Sequence, residues 1–71
     1  MAKLQVFVTP FDGPTYKRIA TVTVARGSVV INEVVTANAW FDGAEETALK
    51  AALDKATAAL LAAEKAEVND G

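Results

Sequence analysis

Near residue 40 the chain changes character. Before that point its apolar residues are mostly β-branched and tend to alternate with polar ones. After it, ten of residues 44–68 are alanine, and the stretch 44–68 holds neither proline nor glycine. β-Branched side chains lose rotamer freedom in a helix and pack well on a pleated surface, whereas alanine is the best helix former. A chain with this single switch has one simple solution: strands first, then one long helix. The expected fold class is therefore α+β.

The first half resolves into three strands. In "KLQVFVT" (3–9), Leu4, Val6 and Val8 share one face and Lys3, Gln5, Phe7 and Thr9 the other, the period-two pattern of a half-buried strand. "PFDGPT" follows with two prolines, an aspartate and a glycine, which is turn chemistry. "RIATVTV" (18–24) alternates again, placing Ala20, Val22 and Val24 opposite Ile19, Thr21 and Thr23. "ARGS" (25–28) is a short connection whose Gly27 can take the positive φ of a tight hairpin. "VVINEVVT" (29–36) is apolar on both faces, interrupted only by Asn32 and Glu33. These three form an antiparallel meander over 3–36.

The helix is expected over 42–68, leaving 69–71 as a frayed tail. Asp42 and Glu45 make an Asp-x-x-Glu variant of the capping box, and Glu45 and Glu46 suit the positive end of the helix dipole. Glu46 and Lys50 are an i, i+4 pair in the favourable order. Leu49, Leu53 and Leu60 fall on one narrow stripe, with Ala52, Ala56 and Ala63 beside it, so this face packs on the sheet. The whole reads as β-β-β-α in a single domain over 1–71.

The triplet FDG occurs twice, at 11–13 and 41–43. The flanks share only an aromatic before the Asp-Gly pair, and two isolated aspartates do not converge as a calcium loop's alternating ligands do. The first is read as a turn and the second as a helix start.

Seventy-one residues with no cysteine and no histidine leave few chemistries open. A core this small is marginal, because a chain of this length buries only about 60% of its unfolded surface. Disulfides and zinc need ligands the chain lacks, so oligomerisation or partner binding is the remaining support. A histidine-based triad is impossible, and the only serine, Ser28, sits in the hairpin. Four scattered glycines make no phosphate loop. The expectation is no enzyme, no cofactor, no metal and no small-molecule substrate. No secretory h-region or membrane-length apolar run occurs, which suggests an intracellular, cytoplasmic protein. The short acidic composition is also in the style of small phage proteins of high-GC bacteria, which would make the chain a structural or host-directed viral protein and place it in the virion.

Two surfaces are candidates for partners. The third strand is an edge in a meander, and Val29, Ile31 and Val35 make one of its two apolar faces; an unprotected edge invites strand addition. Trp40, Phe41 or the tail folding over it would be the protective alternative. Away from the Glu46, Lys50 and Asp54 strip, Ala51, Ala58 and Ala62 extend the apolar arc of the helix beyond what a small sheet covers. Together they point to a protein–protein interaction or assembly module, either a homo-oligomer or a subunit docking on a larger protein. Net charge is −2, with four cations against two anions in residues 1–36 and three against seven in 37–71. This split can orient copies or steer a partner.

The alternative is a DNA-binding module using the sheet. Three strands followed by Phe41, Asp42, Glu45, Glu46 and the Ala48–Ala52 region loosely resemble ethylene-response-type DNA-binding domains and the arm-binding domains of tyrosine integrases, over about a dozen positions. That resemblance implies a sheet face in the major groove, rich in arginine and aromatic side chains. Here the face reads Gln5, Phe7, Thr9, Ile19, Thr21, Thr23 and Ala25, and the cations Lys3, Lys17, Arg18 and Arg26 lie around its ends, a weak phosphate footprint that makes nucleic acid the lesser reading. The two readings separate on mixed-sequence duplex DNA at low salt. An assembly module is not retained; a sheet reader is retained strongly and released when Arg18 and Arg26 become alanine.

Overall fold

The computed structural model describes residues 3–69. Strands β1 (Gln5–Val8), β2 (Arg18–Arg26) and β3 (Val29–Ala37) precede one helix, α1 (Ala44–Asn69). The strands form an open antiparallel sheet in the order β1-β2-β3, and the helix packs on it, so the α+β, β-β-β-α expectation holds. Asn69 is still helical; the rest of the expected tail lies outside the described residues.

β2 and β3 run in unbroken register from Arg18↔Ala37 to Arg26↔Val29. Only Gly27 and Ser28 separate the strands, and Gly27 has φ of +61°. A positive φ at the first of two central residues is the type II′ arrangement, whose twist matches the strands it joins.

β1 is shorter than its alternating pattern suggests. Its register with β2 holds from Gln5↔Ala25 to Val8↔Val22, and Thr9 still donates its amide to the Thr21 carbonyl at 3.0 Å. The next pair is Asp12↔Ile19, which requires one more residue on the β1 side than the earlier register allows. Pro10, which has no amide proton for a ladder, sits in this bulge. The extra residue switches the pleat, and Phe11 turns toward the core. Gly13 then reverses the chain at φ +115°, with its aspartate neighbour accepting its amide proton at 2.9 Å.

Ala20, Val22 and Val24 of β2, Val35 of β3, and Ala56 and Leu60 of α1 make the buried core. Leu49, Leu53 and Ala52 pack around it, as the helical stripe predicts. The helix seats over β2 and β3 and does not reach β1. In consequence Leu4, Val6 and Val8, although on the helix side of the sheet, remain nearly half exposed.

The helix start differs from expectation. Thr47 donates to the Gly43 carbonyl at 2.9 Å, which makes Gly43 the N-cap and starts the helix at Ala44. Among the described residues the Asp42 carboxylate accepts no amide of the first turn, and Glu45 turns to Arg18. The capping box is therefore not formed: a stronger, charged partner takes its glutamate.

A Cβ at Gly13 would lie 2.6 Å from the Lys17 carbonyl oxygen, whereas one at Gly27 meets nothing within 4 Å. Both positions carry positive φ, which costs a non-glycine residue roughly 1–2 kcal/mol, but only Gly13 adds a backbone clash. Urea denaturation of Gly13→Ala should show the larger loss, by about 1 kcal/mol or more. Equal losses would mean that the loop relaxes around the methyl group.

Candidate functional site

The arginines at the two ends of β2 have the same parity as Ala20, Val22 and Val24, so both rise from the helix side of the sheet. Arg18 donates its Nε–H to Glu45 at 2.5 Å. Its two terminal nitrogens donate to the Gly13 carbonyl at 2.7 Å and the Phe11 carbonyl at 3.1 Å. Arg26 makes a two-point contact with Glu64, at 2.7 Å and 2.5 Å. The spans agree: eight strand residues cover roughly 26 Å, and nineteen helical residues roughly 28 Å. The helix therefore runs in the direction of β2, held at both ends.

These pairs account for much of the charge asymmetry between the two halves of the chain. Arg18–Glu45 and Arg26–Glu64 each join a cation before position 37 to an anion after it, so the split attaches helix to sheet; Lys55–Glu33 (3.8 Å) also ties helix to sheet, with the signs reversed. Hydrogen bonds from Arg26 hold the Glu64 carboxyl below the usual carboxylate range; partial desolvation opposes this, and the guanidinium charge adds a smaller pull in the same direction.

The four cations considered for DNA are not gathered. Lys3 and Arg26 lie together beside the hairpin; Lys17 and Arg18 are at the other end of β2. Within the paired strands the outer face of the sheet, opposite the helix, carries Gln5, Phe7, Ile19, Thr21, Thr23, Ala25, Val30, Asn32, Val34 and Thr36, all uncharged, with Lys3 at its margin beside Gln5 and Ala25. Thr23 and Asn32 are tied across it by a 2.7 Å hydrogen bond.

β3 is an edge strand over its full nine residues. Its odd-numbered side chains face the helix: Val35 is in the core, and Val29 and Ile31 pack against it. Val35 is thus buried and unavailable to a partner through its side chain, a correction to its place among the candidate contacts. The apolar side chains that β3 does present are Val30 and Val34, 57% and 67% exposed on the outer face. Ala51, Ala58 and Ala62 are all exposed on α1. One groove brings strand and helix together, lined by Glu33, Val34, Val35 and Thr36 on one side and Ala48, Ala51, Ala52 and Lys55 on the other.

Trp40 and Phe41 do not cover this edge; they are 69% and 65% exposed in the β3–α1 connection. That connection is tied to the 9–17 loop by the Ala39 amide, which donates to Thr15 at 2.8 Å, so exposed Tyr16 belongs to the same end of the molecule. The sequence offered no signal for this grouping, because the aromatics are 24 residues apart and fall outside any periodic segment.

Among the described residues no three acidic side chains gather as a metal site, and no helix is long and apolar enough to cross a membrane. No protein-family model, no curated protein and no solved structure matches this chain.

Because folding depresses the Glu64 pKa, the stability it contributes is complete above the ordinary carboxylate range and is lost as pH falls through the lowered value. Wild type should exceed Glu64→Gln in urea midpoint at about pH 7, and the difference should shrink as the pH is lowered through and below the carboxylate range. A difference that persists in acid would assign the effect to side-chain shape.

Proposed function

We propose that this chain is a small non-enzymatic assembly module that docks onto protein through one composite face, the free edge of β3 together with the alanine flank of α1. The observation that carries this reading is the unequal treatment of the two sheet edges. β1 is four residues long and ends in a bulge at Pro10, both of which blunt an edge against pairing. β3 is nine residues long, contains neither proline nor lysine, and keeps perfect register with β2 throughout. Its one charge, Glu33, points to the helix side and engages Lys55, so the row of edge amides and carbonyls stays unobstructed.

The helix suits the same purpose. Small side chains let a second backbone approach closely, and Ala48, Ala51 and Ala52 border the groove beside β3, with Lys55 next to them. Main-chain pairing along the strand supplies affinity and the adjoining side chains supply selectivity. By contrast, the DNA reading needs cations on the outer sheet face, and the arginines it would use are held by glutamates on the helix side.

A photo-crosslinking residue at Ala51 tests this in the cell of origin, with the same residue at Lys50 on the opposite flank as control. Adducts to a protein chain from position 51, and few or none from 50, are the expected result. No adduct from 51, or equal yields from both, would overturn the reading.

A further inference from the structure

We infer that the partner on this face is a second copy of the chain, related by a twofold axis beside β3, giving a six-stranded antiparallel sheet with two helices side by side above it. The inference rests on the assembly reading above and adds the identity and geometry of the partner.

The hydrogen-bond parity decides which atoms are free. Thr21 and Ile19 bond toward β1, so the even-numbered residues of β2 serve β3. Through the register Arg26↔Val29, Val24↔Ile31 and Val22↔Glu33, the odd-numbered residues of β3 bond back to β2. Val30, Asn32, Val34 and Thr36 therefore direct their amides and carbonyls to the open edge. Two copies can pair and keep both helices on one side only if even residues meet even residues. Centring the axis on Glu33 pairs Val30 with Thr36 and Asn32 with Val34 of the other copy. All four residues of each copy are then satisfied, more than in the registers on either side.

The helices fit the same axis. Strands lie about 4.8 Å apart, so the axis stands about 2.4 Å outside β3. A helix seated midway between β2 and β3 is then about 5 Å from the axis. Its symmetry mate lies about 10 Å away, near the 8–10 Å of packed helices. A flank of alanines permits this separation; leucines would not. The face is about 30 Å long by strand rise and the molecule 15 Å thick, which puts contact on the order of 1,000 Å² over both copies, the size at which an interface becomes specific. The axis sets Glu33 opposite its own copy, a like-charge pair that costs stability unless neighbouring cations offset it. Glu33 and Lys55, 3.8 Å apart, are repeated by the axis, so two lysines flank the two glutamates that meet at the centre.

The absence of cysteine makes a clean test. In the centred register Glu33 faces its own copy in a non-hydrogen-bonded pair, with Cα atoms about 4.5 Å apart, within disulfide reach. Val30 lies six residues from its own copy, roughly 20 Å away. Light scattering of the unmodified chain across a dilution series should give twice the 7.4 kDa chain mass. Glu33→Cys should oxidise rapidly to a covalent dimer and Val30→Cys should not. Ala51→Arg and Val34→Pro should weaken association more than about tenfold while keeping helical circular dichroism. Should either variant unfold, the cysteine pair decides the matter alone. A monomer at every concentration overturns the inference, as does a dimer in which Val30→Cys crosslinks as readily as Glu33→Cys. A monomer whose position 51 crosslinks to a foreign protein defeats the twofold and leaves the assembly reading standing; one with no adduct defeats both.

Discussion

The molecule is organised around the attachment of α1 to β2. β2 is the central strand, paired on both sides, and it supplies Ala20, Val22 and Val24 to the buried core. It also carries an arginine at each end, and each finds a glutamate on the helix. The partly exposed ion pairs contribute little stability individually. Their value is positional: apolar packing of alanines and valines is tolerant of sliding and rotation, whereas two charged contacts roughly 26 Å apart set direction, depth and rotation together. Arg18 does more, since its remaining donors hold the carbonyls of Phe11 and Gly13 and so fix the loop that carries Phe11 inward.

That placement determines what is left uncovered. A single helix is about 10 Å across and cannot shield three strands. Seated over β2 and β3, it buries Val22, Val24 and Val35 and leaves the inner face of β1 partly open. Ala48, Ala51 and Ala52 then border the β3 edge, so strand edge and helix flank form one continuous surface. Placement of the helix over β1 and β2 would have separated them.

Much of this was legible in the residues. The switch from β-branched alternation to alanine fixed the element order, and the parity of Ala20, Val22 and Val24 identified the inner face of β2. Gly27 marked the hairpin within two residues. What was not legible depended on contacts between elements. Arg18 and Arg26 read as free cations because their partners lie 27 and 38 residues away. Asp42 read as a cap because local spacing favours it, while Glu45 was drawn off by a distant guanidinium. The pleat switch at Pro10 was hidden as well, since one extra residue in a proline-rich loop looks like any other loop. For the candidate site, the strand and the alanines were each visible in sequence; their adjacency, and the burial of Val35, required the fold.

β1 illustrates a further consequence. It pairs with β2 alone, its backbone stands away from the helix, and its ladder is short. The β2–β3 hairpin and α1 hold one another by core and ion pairs without it. Few packing contacts and a short ladder favour local opening, so the amides of this outer strand should exchange with solvent ahead of those in the hairpin–helix unit. The N-terminal strand is the natural place for this sequence to accept change, since detaching it leaves the core residues of β2, β3 and α1 in mutual contact.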